Sequence, residues 1–355
     1  MNRVAPVTQT LGAFDPAFEF YCFKNCYRQW LEMQGVPNAF YYLDCTLDWR
    51  FSRKEDDALG YSFSTSDIYT SVLPSFRHKI VMTDDMTISP VEIWERNKML
   101  LKAGIPFVAA VDVYYLPYTP YFGKKHSYHA LLVCGMEEDQ LDIIDWYPPW
   151  YYQGQLSYAV IDDARSSENP ADGLLSGNPI RYLWAELERG GWQADSRELI
   201  AQAVGISIDR FYGTTTSERD RGDVQFGAKA LAALKDAVVQ HAAADEETRA
   251  RFLQDLHGKT YFVPTRKNLF ARYVERACEE FRYPKLAKAV PAMYATVTEW
   301  KRFLNLTVKA SMAPTADNYA TVVKTLDGLI FAEKDINYLL YDAAPTIWRQ
   351  GESRL

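Results

Sequence analysis

His129 opens one apolar run and Asp145 closes the next, within KKHSYHALLVCGMEEDQLDIIDW at residues 124–146. The first run is Ala130 to Cys134 and the second Leu141 to Ile144, with Gly135 and Glu137-Glu138-Asp139 turning the chain between them. This pattern predicts a β-hairpin, whose antiparallel strands bring the end of the second run beside the start of the first. An imidazole and a carboxylate held side by side are two members of a nucleophilic triad, the base and the group that orients it. The nucleophile must come from elsewhere in the chain.

FEFYCFKNCYRQWLEMQG, residues 18–35, offers one. Phe23, Cys26, Tyr27, Trp30 and Leu31 recur at three and four, which predicts a helix from near Phe20 to Gly35 with one buried stripe. Gly35 and Pro37 then stop it. Cys22 falls in the first turn, where unpaired N–H groups and the macrodipole favour an anion. Cys26 lies one turn deeper, on the stripe. Position alone leaves two readings open for Cys22, a nucleophile or a small core residue.

The other candidates carry less chemistry. Cys22 and Cys26 with His126 and His129 lack the second cysteine pair of a zinc framework, so neither a metal nor another cofactor is expected. His126, three residues before His129, reads as a residue at the edge of a cleft. His78, His241 and His257 read as surface residues, and Cys134 as core.

Composition bounds the rest. The 355 residues are 48% hydrophobic and 14% aromatic, enough for a sizeable core. A net charge of −7 argues against a nucleic-acid partner. The first residues, MNRVAPVTQTLGAFDP, lack a signal-peptide apolar core, and no apolar run reaches the ~18–20 residues that span a bilayer. Five cysteines in no framework spacing suit a reducing cytoplasm. No membrane association is expected.

Around these residues the chain reads as α+β. Ser89-Pro90-Val91-Glu92 announces a helix over Val91–Ala103, and IPFVAAVDVYYLPY a β-rich run ended by Pro117 and Pro120. Residues 40–69 read as short strands with irregular cover, the cluster Arg53 to Asp57 being a solvated face. Ser166-Ser167, Asn169-Pro170, Asp172-Gly173 and Ser176-Gly177-Asn178-Pro179 mark a linker. The expected division is residues 1–165, a linker at about 166–179, and a mostly helical domain at 180–355. Helices are expected over Phe226–His241, along Met293 to Val308, and through Val322, Leu326, Leu329, Ile330, Ile336 and Leu340, with breaks at Pro264, Pro284, Pro291 and Pro314.

LLKAGIPFVAAVDVYYLPY and KKHSYHALLVCGMEEDQLDIIDWYPPWY resemble the N-terminal domain of the butirosin-biosynthesis protein H family. The resemblance rests on Asp112–Pro117, His129, Gly135 and Asp145, and covers about residues 20–160. A more distant similarity is to double-glycine leader peptidases, whose nucleophile helix Cys22-Phe23-Lys24-Asn25-Cys26 loosely fits. Where the family is glycine-rich after that helix, this chain has Asp48-Trp49-Arg50-Phe51-Ser52.

The resemblance implies a papain-like cysteine domain, its N-terminal helix packed on an antiparallel sheet. It implies an acyltransferase with Cys22 as nucleophile, His129 as base and Asp145 as orienter. The acyl group would come from an acyl or peptidyl carrier-protein thioester, pass through an acyl-cysteine, and end on a small amine acceptor in specialised-metabolite biosynthesis. A peptidase, amidase or thioesterase of the same fold, and a non-catalytic binding domain, are the alternatives. The oxyanion would meet the Cys22 N–H and an upstream donor, for which Gln9, Asp15, Glu19 and Tyr21 offer no clear match. The helical domain could shape the acceptor site, dock the carrier through Lys285, Lys288, Lys301, Arg302 and Lys309, or form a homodimer interface.

Overall fold

The computed structural model describes residues 21–53, 60–65, 72–83, 87–172, 176–213 and 224–352. In chain order the helices are α1 (Cys22–Met33), α2 (Pro90–Lys102), α3 (Tyr158–Ser166), α4 (Ser196–Tyr212), α5 (Gly227–His241), α6 (Glu246–Thr260), α7 (Val263–Phe281), α8 (Ala289–Met312) and α9 (Ala316–Glu352). The strands are β1 (Arg50–Arg53), β2 (Tyr61–Ser64), β3 (Ile80–Thr83), β4 (Phe107–Asp112), β5 (Tyr128–Glu137), β6 (Gln140–Asp145), β7 (Tyr152–Ser157), β8 (Trp184–Leu187) and β9 (Val224–Phe226). The fold is α+β, with helix and antiparallel sheet first and a mostly helical region after. Contacts group the chain into two compact units, residues 1–43 with 68–194, and residues 44–67 with 195–355. Set beside a division at 166–179, the first unit runs on to Ala194 and residues 44–67 join the second.

The first unit is built on a six-stranded sheet in the order β3-β8-β4-β5-β6-β7, its neighbours antiparallel. Alternation puts Phe107, Ala109 and Val111 of β4, Leu131 and Val133 of β5, and Ile143 of β6 into one core with Ile93 and Trp94 of α2 and Ile161 of α3. The serine cap before α2 forms as its sequence predicts. Ser89 Oγ accepts from the Glu92 N–H while the Glu92 carboxylate accepts from the Ser89 N–H. The β-rich run is shorter than its composition suggests. Asp112 accepts from the Tyr114 N–H at 3.0 Å and turns the chain into a 3-10 helix over Val113–Tyr115.

Among the described residues of 166–179, the loop is tied down within this unit. Ser167 Oγ donates to Asp112 at 2.6 Å, and Asn169 Nδ2 donates to the Asn178 carbonyl at 2.9 Å. Just before it, the buried guanidinium of Arg165 links α3 to α2 by donating to Asn97 Oδ1 at 2.9 Å and lying 4.5 Å over the Trp94 ring.

In the second unit β2-β1-β9 form a small antiparallel sheet beside six helices. Arg210 of α4 holds the start of residues 44–67, its guanidinium 2.8 Å from the Asp44 carboxylate. A buried ion pair joins α7 to α9, with Lys267 Nζ 2.7 Å from Glu333, which also accepts from Trp300 Nε1 of α8 at 2.8 Å. Pro264 starts α7, and Pro284 and Pro314 fall between helices. Pro291 does not break a helix: it sits in the first turn of α8, where its missing N–H has no intrahelical acceptor to lose. His241 and His257 are half-buried rather than surface residues. The first stacks on Phe252 at 4.0 Å and the second lies 3.2 Å from Thr307 Oγ1. Among the described residues no helix is long and apolar enough to cross a membrane.

Candidate functional site

Helix α1 begins at Cys22, with Tyr21 as an extended N-cap and no acidic side chain in the first turn. The first intrahelical bond runs from the Asn25 N–H to the Tyr21 carbonyl at 2.9 Å. The Cys22 N–H therefore has no acceptor inside the helix and faces outward with the positive end of the dipole. The stripe of Phe23, Cys26, Tyr27, Trp30 and Leu31 is at most 3% exposed. The burial goes further than one stripe: Lys24, Asn25, Arg28 and Gln29 are buried too, so α1 is a core helix nearly all round. It packs on β5, and its ends are pinned in the first unit. Phe23 stacks on Tyr128 at 6.2 Å, Asn25 Nδ2 donates to the Trp146 carbonyl at 2.9 Å, and Trp30 Nε1 donates to the Pro106 carbonyl at 3.2 Å.

How His129 and Asp145 meet is a matter of register. Near the turn the β5–β6 pairs are Glu137↔Gln140, Met136↔Leu141 and Gly135↔Asp142. Continued unbroken, that register would set Asp145 opposite Leu132, on the face His129 does not share. A β-bulge intervenes: beyond it the pairs are Val133↔Ile143 and Leu132↔Ile144, with Cys134 as the extra residue. Asp145 then falls opposite Leu131, on the same face as His129 and diagonal to it. One inserted residue decides whether the pair exists.

The resulting contact is short and buried. His129 Nε2 lies 2.9 Å from both carboxylate oxygens of Asp145, and the two residues are 4% and 2% exposed. With Nε2 on the carboxylate, Nδ1 is the nitrogen left for another partner. The Cys22 thiol is close enough to His129 to favour its protonated form. The structure thus brings together Cys22, His129 and Asp145. Burial pulls the imidazolium down, but the Asp145 charge and hydrogen bond, with a further contribution from Cys22, outweigh it and hold His129 up at about 10. Burial, with Cys22 and Asp145 nearby, drives the Cys26 thiol well above its ordinary value, so it stays protonated core.

Asp145 has partners that composition and spacing did not reveal. Tyr118 Oη donates to Oδ2 at 2.8 Å and Trp150 Nε1 donates to the same oxygen at 2.7 Å. Both donors fix the orientation of the carboxylate against the imidazole. Tyr118 is itself held by stacking on Tyr152 at 3.9 Å. In the aromatic run after Asp145, Tyr147 and Trp150 stand edge-on to His129, at 5.2 and 5.5 Å between ring centres. The only sequence signal for them is proximity, since Trp150 follows Asp145 by five residues and Tyr118 ends the run IPFVAAVDVYYLPY.

His126 belongs to a separate pair. Its Nδ1 lies 2.6 Å from Oδ2 of the fully buried Asp112, and its ring stacks on Tyr114 at 4.2 Å. Asp112 also accepts from the Ser127 N–H at 3.1 Å, so this pair anchors the strand on which His129 stands. Among the described residues no group of three or more His, Cys, Asp or Glu side chains could hold a metal. Gln9, Asp15, Glu19 and the charged cluster at Lys54–Asp57 lie outside the described residues. Cysteine, imidazole and carboxylate in this order can do nucleophilic acyl chemistry.

A comparison with curated proteins finds no match. A family model described as "Butirosin biosynthesis protein H, N-terminal" matches residues 37–146. That segment carries Asp112, Tyr118, His129 and Asp145 but stops short of Cys22 and Trp150 on either side. Over residues 37–146, about a third of the chain, the protein is similar to the N-terminal region of butirosin biosynthesis protein H.

Proposed function

We propose that this protein is a papain-like, cysteine-dependent acyltransferase that moves an acyl group from a carrier-protein thioester to an amine. The observation that supports it most is the buried His129–Asp145 pair with the Cys22 thiol at hand on the end of a helix. The family's name, which refers to the biosynthesis of butirosin, supports a role in specialised metabolism.

In this reading the reacting form of the site is a Cys22 thiolate beside a His129 imidazolium. The thiolate attacks the donor's thioester carbonyl, and the negative oxygen that develops is met by the Cys22 N–H at the head of α1. The tetrahedral species collapses with loss of the carrier thiolate, which takes the proton from His129. The acyl group is now on Cys22 and the imidazole is neutral. An amine attacks this second thioester, His129 takes its proton, and the Cys22 thiolate leaves. Asp145 stays ionised throughout and holds the imidazole by Nε2. Tyr147 and Trp150, edge-on to the imidazole, narrow the approach of water to the acyl-enzyme.

The test is intact-protein mass spectrometry with an acyl-pantetheine thioester. A mass increase that peptide mapping places on Cys22, its discharge as an amide by an added amine, and its absence in Cys22→Ala are expected. Acylation on Cys26, or full turnover by Cys22→Ala, would overturn the assignment. Discharge as free acid at the same rate with and without amine would make the protein a hydrolase instead.

A further inference from the structure

Helix α9 is the longest element, and its two sides differ in kind. Val322, Leu326, Leu329, Ile330, Ile336, Leu340, Ala343 and Ile347 are buried in the second unit. A flanking side carries large aromatics that are exposed: Phe331 is 67% exposed, Tyr338 65%, Tyr341 62% and Trp348 47%. Their spacing is seven, three and seven, a straight seam along the helix of the kind that packs against a second helix. At the end of α4, Tyr212 is half exposed and lies near Tyr341, so the seam broadens into a patch.

The patch matches itself. Two copies of α9 laid antiparallel about an axis between Leu339 and Leu340 place Phe331 against Trp348 of the second copy and Tyr338 against Tyr341, each contact occurring twice by symmetry. Lys334, exposed in the middle of the seam, then falls one turn from the exposed Asp342 of the other copy, again twice. A parallel pairing would instead set Lys334 against Lys334. Size points the same way. At ~150–250 Å² per buried aromatic and the exposures above, the four rings offer roughly 500 Å² per copy, or about 1,000 Å² for a pair. That is the threshold of a specific interface, and a patch of the size that is often functional on a protein surface.

We propose that the aromatic seam of α9 is the self-association surface of this protein, forming a two-fold antiparallel helix pair with a second copy of the chain. Sedimentation equilibrium and light scattering of the full chain over a wide range of concentration test it. The wild type should be dimeric, and Tyr338→Glu/Tyr341→Glu monomeric with unchanged circular dichroism and a melting temperature that no longer depends on concentration. Lys334→Glu should weaken the dimer about tenfold through two lost ion pairs and new repulsion. Lys334→Glu/Asp342→Lys should restore it, since the pairing is reciprocal between copies. Asp342 also meets Lys285 of its own chain at 3.4 Å, an exposed contact whose loss costs little. A wild type that stays monomeric at every concentration overturns the proposal, and so does a dimer that survives the double glutamate variant. Failure of the charge swap to rescue would overturn the antiparallel arrangement.

Discussion

Replacing Asp145 by asparagine tests the electrostatics of the site with a pH dependence that no merely structural role would produce. In the folded protein Asp145 holds the buried His129 imidazolium up at about 10, against an ordinary 6.5. That span corresponds to something on the order of 5 kcal/mol, at ~1.4 kcal/mol per tenfold change. Because the folded state binds the proton more tightly than the unfolded chain, this stability is fully present below about pH 6.5 and is lost as pH rises towards 10. Between pH 6.5 and 8 the contribution of His129 to the stability of the wild type should fall by roughly one to two kcal/mol. In Asp145→Asn the opposing charge is gone while burial remains, so His129 should titrate below its ordinary value and the loss over this window should vanish. Urea unfolding at stepped pH reads the stability, and NMR of ¹³Cε1-labelled histidine reads His129 directly. Parallel slopes in the two proteins, or a His129 that still titrates near 10 in the variant, would refute the reasoning.

Other consequences follow from particular contacts. Trp150→Phe keeps a ring beside His129 but removes the donor to Asp145, a charge-assisted bond worth ~1.5–3 kcal/mol. Acylation of Cys22 should slow by roughly ten- to a hundredfold, scored by single-turnover mass spectrometry. Lys267→Met strands the buried Glu333 carboxylate and should cost ~3–5 kcal/mol in denaturant unfolding. Lys267→Met/Glu333→Gln should recover much of it. Gly227 has φ +59° and a Cβ there would lie 2.1 Å from the Phe211 carbonyl oxygen, so Gly227→Ala should lower stability by more than ~2 kcal/mol. An unchanged melting temperature would show that the α4–α5 junction is not as drawn.

Local patterns carried much of this protein on their own. Apolar runs bounded by turn residues marked β4, β5 and β6, and three-and-four spacing marked α1, α5 and α8. Ser89 with Glu92 and Gly35 set helix ends, because capping is a matter of a few neighbouring atoms. The same reading put Cys22 at the head of a helix and His129 and Asp145 at adjoining strand ends. Tertiary structure decided what depends on partners far away in sequence. The bulge at Cys134 sets the face on which Asp145 lies, and an apolar run gives no hint that it holds one residue too many. Tyr118 and Trp150 reach Asp145 only because stacking and a turn aim them there. Residues 44–67 leave the first unit because β1 pairs with β9, some 170 residues on, a choice of partner that strand propensity does not encode. The aromatic seam of α9 likewise looks in sequence like more core. Periodicity says which residues share a side of a helix, and only packing says which side is covered.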